Sequence, residues 1–161
     1  MTLDEFNKLP AASAARELLR CCGSREWVQG MGNARPFESV AALNSEADQI
    51  WWRLAPADWL EAFHAHPRIG GPTSDSVWAA QEQAAVGSAA NSTLTELAQA
   101  NEEYQAKFGY LFIVCATGKS AEEMLAILRS RLGNDPEDEL QIAATEQSKI
   151  ARIRLEKLVT V

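Results

Sequence analysis

The amino-acid sequence predicts an all-α fold: a single compact multi-helix domain over residues 1–161, with one short extended segment near 110–115. Two observations predict it. Apolar residues recur at spacings of three and four along most of the chain, the period of a helix with one buried face. Helix start and stop signals punctuate these stretches at short intervals. The run FGYLFIVCA at 108–116 departs from the pattern, being rich in aromatic and β-branched residues and bounded by Gly109 and Gly118.

Residues 12–22 place Ala12, Ala15, Leu18, Leu19 and Cys22 on one helical face. Residues 39–54 repeat the pattern through Val40, Leu43, Ala47, Ile50, Trp51 and Leu54. Pro56 suits the first position of the next helix, where its missing N–H costs nothing. That helix ends near His66, because Pro67 disfavours the α conformation in the residue before it. Gly70-Gly71-Pro72-Thr73 breaks the chain, and a further helix is expected from about Asp75 to Val86. Thr93-x-x-Glu96 and Ser120-x-x-Glu123 are capping-box patterns, predicting helices over 93–107 and 122–132, the latter stopped by Gly133. Asp135-Pro136 reads as an N-cap and first-turn proline. It opens a long helix to about Leu158 that carries Leu140, Ile142, Ala143, Ile150, Ile153, Leu155 and Leu158 on its apolar face. A lone extended segment at 108–116 has no sheet partner, so its buried N–H groups need other acceptors. A bound anion is one; a helix N-terminus packed on the core is the plainer arrangement.

Composition narrows the function. The chain is 47% hydrophobic and 23% charged, ordinary for a folded globule, and carries a net charge of −7. That charge disfavours nucleic acid and anionic membranes as partners. An anionic ligand must therefore be held by local Arg, Lys or backbone N–H groups. The three cysteines include an adjacent pair and form no C-x-x-C, which fits a reducing compartment. No signal-peptide pattern, peroxisomal address or bilayer-length apolar run is visible, so the expected location is the cytosol. The five tryptophans are read as core.

Both histidines, His64 and His66, lie in HAHPRIG. Two residues apart on a helix they point about 200° from one another and cannot share a ligand unless the helix has ended. Helical metal pairs prefer spacings of three or four, so no metal site is expected. His66 is either a residue partnered by the helix C-terminal dipole or a general acid or base beside a glycine-rich loop. Glu82 and Gln83 belong either to a solvated helix face or to a site. Arg129 and Arg131, near a helix C-terminus, suit the dipole there equally well.

Taken as an ordered set, several pieces resemble the 2-oxo-4-hydroxy-4-carboxy-5-ureidoimidazoline (OHCU) decarboxylase family. They are FNKLP, the CCGS–W segment at 21–27, RPF at 35–37, HAHPRIG at 64–70, W-x-x-x-E-Q at 78–83, FGYLFIVCATGKS at 108–120 and ILRSRLGND at 127–135. The resemblance implies a compact all-α homodimer without metal or organic cofactor, which removes CO2 from OHCU to give (S)-allantoin. It places the catalytic histidine on His66, the paired acid and amide on Glu82 and Gln83, and substrate contacts on Pro67, Phe112, Ile113, Val114, Cys115 and Arg131. Ala79 and Leu111 depart from the serine and proline that many members carry there. Three rival readings stand beside it: a non-catalytic interaction module using Trp51, Trp52 and Trp59, a metal-dependent hydrolase using His64 and His66, and the same fold acting on a different substrate.

Overall fold

A computed structural model describes residues 1–66 and 91–160. Among these, eight α-helices occur: α1 (Leu3–Lys8), α2 (Ala11–Cys21), α3 (Arg25–Ala34), α4 (Val40–Arg53), α5 (Pro56–His64), α6 (Asn91–Phe108), α7 (Ala121–Arg131) and α8 (Pro136–Leu158). The helix expected over 75–86 lies outside the described residues. No helix among them is long and apolar enough to cross a membrane.

The chain divides into two compact units, Met1–Ala62 with the residues from Gln147 on, and Phe63–Glu146. In the first, side-chain caps start the helices. Thr2 and Glu5 form a reciprocal capping box on α1, and Ser24 and Ser39 accept from backbone N–H groups of α3 and α4. The core gathers Phe6, Leu18, Trp27, Met31, Leu43, Trp51 and Leu155. Two indoles bury their N–H groups with partners, Trp27 Nε1 on Ala47 O at 3.2 Å and Trp59 Nε1 on Trp51 O at 2.9 Å. A buried indole without such an acceptor forfeits the desolvation of its donor.

The buried face of α2 differs from the expected one. It consists of Ala14, Leu18 and Cys21, while Leu19 is 48% exposed and Ala12 is exposed. The reason is the alanine-rich start, which offers four alanines with nearly equal claims to either face. In α8 the stripe is Glu139, Ala143, Gln147, Ile150 and Arg154, with Leu155 and Leu158 beside it. Ile142 is 38% exposed, and Leu140 and Ile153 are half-buried. Glu139 and Arg154 occupy this stripe because they have partners inside, Glu139 accepting from Arg131 and Tyr104 and Arg154 donating to Arg20 O at 3.3 Å. Burying such groups unpaired would cost more than the apolar contact returns.

In the second unit, α6 is already helical at Asn91, so Thr93 does not cap it, and Glu96 reaches instead toward Arg129 of α7 at 3.6 Å. Ser120 caps α7 as expected, accepting from Glu123 N. Asp135 caps α8 through its carboxylate and the Glu137 N–H at 3.2 Å.

Candidate active site

Between α6 and α7 the chain leaves the helix. Gly109 (φ 85°) ends α6, and its N–H donates to Gln105 O at 2.8 Å. Gly118 (φ 77°) forms the turn before α7. Both occupy the left-handed region, where glycine carries no penalty. Among the described residues, 111–116 pair with no strand, and Phe112, Ile113, Val114 and Cys115 are all buried.

Side chains supply the partners that a sheet would have supplied. Arg131, on the last turn of α7, donates from Nη1 to Ile113 O at 2.7 Å. Its guanidinium lies over the Phe112 ring, 4.6 Å from the centroid. Cys115 N–H donates to Glu146 Oε1 at 3.1 Å, and Lys119 Nζ donates to Cys115 O at 2.8 Å. The segment therefore meets an anion on one amide and cations on two carbonyls.

Arg131 is itself held. Its side chain is 7% exposed, and Nε and Nη2 each lie 2.6 Å from Glu139 Oε1. Glu139 is fully buried and also accepts from Tyr104 Oη at 2.6 Å and Asn134 Nδ2 at 3.0 Å. Burial, and donation to Glu139, push the Tyr104 hydroxyl well above the ordinary phenol range. Burial raises Tyr110 as well. The arginine's charge is thus balanced within the protein, so what it presents to the segment is geometry more than free charge. Lys107 Nζ reaches Leu132 O at 2.5 Å and Asn134 O at 3.1 Å, satisfying carbonyls past the end of α7.

The end of α5 enters the same unit. Phe63 packs on Tyr110 with ring centroids 5.2 Å apart. Three residues on, His66 stands beyond the helix, half-exposed, its backbone N–H donating to Phe63 O at 3.2 Å. His64 is the last helical residue and is exposed. His66 has thus left the helical register that would have pointed it away from His64. Pro67, Ala79, Glu82 and Gln83 lie outside the described residues. No cluster of three His, Cys, Asp or Glu suited to a metal occurs among the described ones.

The structure brings together Phe112, Ile113, Cys115 and Arg131 from the expected set. It adds Tyr104, Lys119, Asn134, Glu139 and Glu146, which the sequence reading did not single out. For Glu139 a signal existed, a carboxylate four residues before Ala143, in register with a residue expected on the buried face.

A crystal structure described as OHCU decarboxylase in the presence of (S)-allantoin matches with a TM-score of 0.79 and 40% identity, over 88% of this chain and 96% of that one. A structure of (S)-allantoin synthase shares the fold, with a TM-score of 0.77 at 21% identity. The fold is that of the helical decarboxylases of urate degradation. The chain belongs to the OHCU decarboxylase family, whose model matches residues 7–156. The uric acid degradation bifunctional protein TTL of Arabidopsis thaliana is 41% identical over 86% of this chain and 45% of its own length. The chain thus spans less than half of that relative. The OHCU decarboxylase of Haloferax volcanii is 26% identical over 96% of this chain and 94% of its own.

Proposed function

We propose that this chain decarboxylates OHCU to (S)-allantoin without a cofactor, as one domain working in the cytosol as a homodimer. The carrying observation is its 40% identity and 0.79 TM-score to an OHCU decarboxylase structure described with (S)-allantoin, at near-complete coverage of that chain. The pinned, buried segment at 112–115 supports the reading.

The chemistry needs no external electron sink. OHCU carries a carboxylate on a carbon that also bears a hydroxyl, next to an imine carbon. When the C–CO2 bond breaks, its electron pair forms a double bond to the imine carbon, and the ring nitrogen takes up a proton from solvent. Loss of the hydroxyl proton then makes the carbonyl, and a proton added to the former imine carbon sets the handedness. The protein must orient the carboxylate, stabilise developing charge and favour one face.

In this reading neutral His66 accepts the hydroxyl proton, and Glu82 orients His66 or binds ureido N–H groups. Gln83 pairs with the amide edge, and Pro67 lines the pocket. The backbone of Phe112, Ile113, Val114 and Cys115 holds the ring, while Arg131 supports the anion by fixing that backbone. A positioned acid or base contributes ~10²–10⁴-fold. His66→Ala should lose at least ~10²-fold in kcat/KM while its circular dichroism stays native; a loss below about threefold takes His66 out of the mechanism. Light scattering of the purified chain tests the dimer.

A further inference from the structure

Helix α8 carries two carboxylates that converge on the 110–116 segment. Glu139 and Glu146 are seven residues apart, close to two helical turns, so they lie on one side of the helix about 10 Å apart along its axis. The first holds Arg131, which grips Ile113 O; the second accepts directly from Cys115 N. Lys119 completes the set on Cys115 O.

With no strand partner among the described residues, the backbone of this segment is placed by such contacts together with the packing of its buried side chains. Net stability does not require that they be ionic, since well-packed apolar groups often serve a core equally well. What charged, directional contacts add is a defined placing of individual N–H and C=O groups. We propose that Glu146 is a positioning residue for the decarboxylation, fixing the amide of Cys115, while Glu139 does the same for Ile113 through Arg131. This rests on the reading that the 112–115 backbone holds the substrate. Glu146 is half-buried and is not a member of the buried Glu139–Arg131 pair, so its substitution leaves that pair intact.

The test compares Glu146→Ala and Glu146→Gln in the full chain, using freshly generated OHCU for kinetics and hydrogen exchange of residues 110–116 for backbone order. Glu146→Ala should exchange faster in that segment and lose ~10-fold or more in kcat/KM, since small misplacements of holding groups are costly in rate. Its melting should stay close to wild type. Glu146→Gln keeps an acceptor for Cys115 N–H and should stay within about threefold of wild type. A folded Glu146→Ala chain with wild-type kcat and KM overturns the proposal, whether or not its segment is loosened. A wild-type chain that leaves OHCU decay unaided overturns the functional reading instead, and the proposal falls with it.

Discussion

Replacing Glu139 by glutamine keeps the volume and one acceptor but removes the charge that balances Arg131. Arg131 is 7% exposed on its side chain and Glu139 is fully enclosed, so water cannot replace the lost carboxylate without rearrangement. Breaking a buried pair by removing one partner typically costs about 3–5 kcal/mol. For a chain of this size each kcal/mol shifts the melting point by about 2–4 °C, so a fall of roughly 6–20 °C is expected. Thermal unfolding followed by far-ultraviolet circular dichroism measures that fall, and urea unfolding measures the free-energy loss, with an unchanged slope showing that the unfolded state is the same. The double change Arg131→Met with Glu139→Leu should recover only part of the loss: it removes the uncompensated charge but leaves the Tyr104 hydroxyl and Ile113 O without their partners. A single-variant loss below about 1 kcal/mol would mean that the pair is hydrated, and the account of Arg131 as an internally balanced clamp would be refuted.

Gly109→Ala places a Cβ in open space but at φ 85°, so it should cost about 1–2 kcal/mol by backbone strain alone; unchanged stability in urea would show that the turn relaxes freely. Burial pushes the Cys21 and Cys22 thiols up to about 12 from 9.0. The unfolded chain ionises them first, so their contribution is intact below pH 9 and falls as pH rises from 9 toward 12. At pH 10 the loss is on the order of 1 kcal/mol per thiol, with Tyr104 and Tyr110 adding to it above pH 10. Unfolding free energies at pH 8 and 10 should diverge for wild type and converge for C21A/C22A; equal divergence in both chains contradicts the assignment.

Helix punctuation was the most legible part of the fold. Pro56, Ser120 and Asp135-Pro136 act as local signals read within one turn, and each opens its helix where expected. The T-x-x-E pattern at Thr2 is an equally local signal, and it opens α1 with a full capping box. Buried faces were harder wherever alanine dominated, as in α2, because small side chains weigh little in a periodicity argument. The break at 108–116 was visible from its residue types and flanking glycines. The groups that hold it were not, because the contacts of Arg131 with Ile113 and of Glu146 with Cys115 cross 18 and 31 residues of chain. Polar residues on a buried helical stripe signal a partner without naming it. Glu139 illustrates this, since nothing local says that Tyr104 and Arg131 meet there.

The most direct test of the decarboxylation follows circular dichroism after OHCU is generated in the presence of the chain. OHCU decaying by itself is protonated on either face and yields racemic allantoin, with no lasting signal. The account predicts that the chain speeds the loss of OHCU and leaves the stable signal of (S)-allantoin, and that His66→Ala leaves almost none. Decay at the unaided rate to an optically silent product, with a folded wild-type chain in the cell, would contradict it.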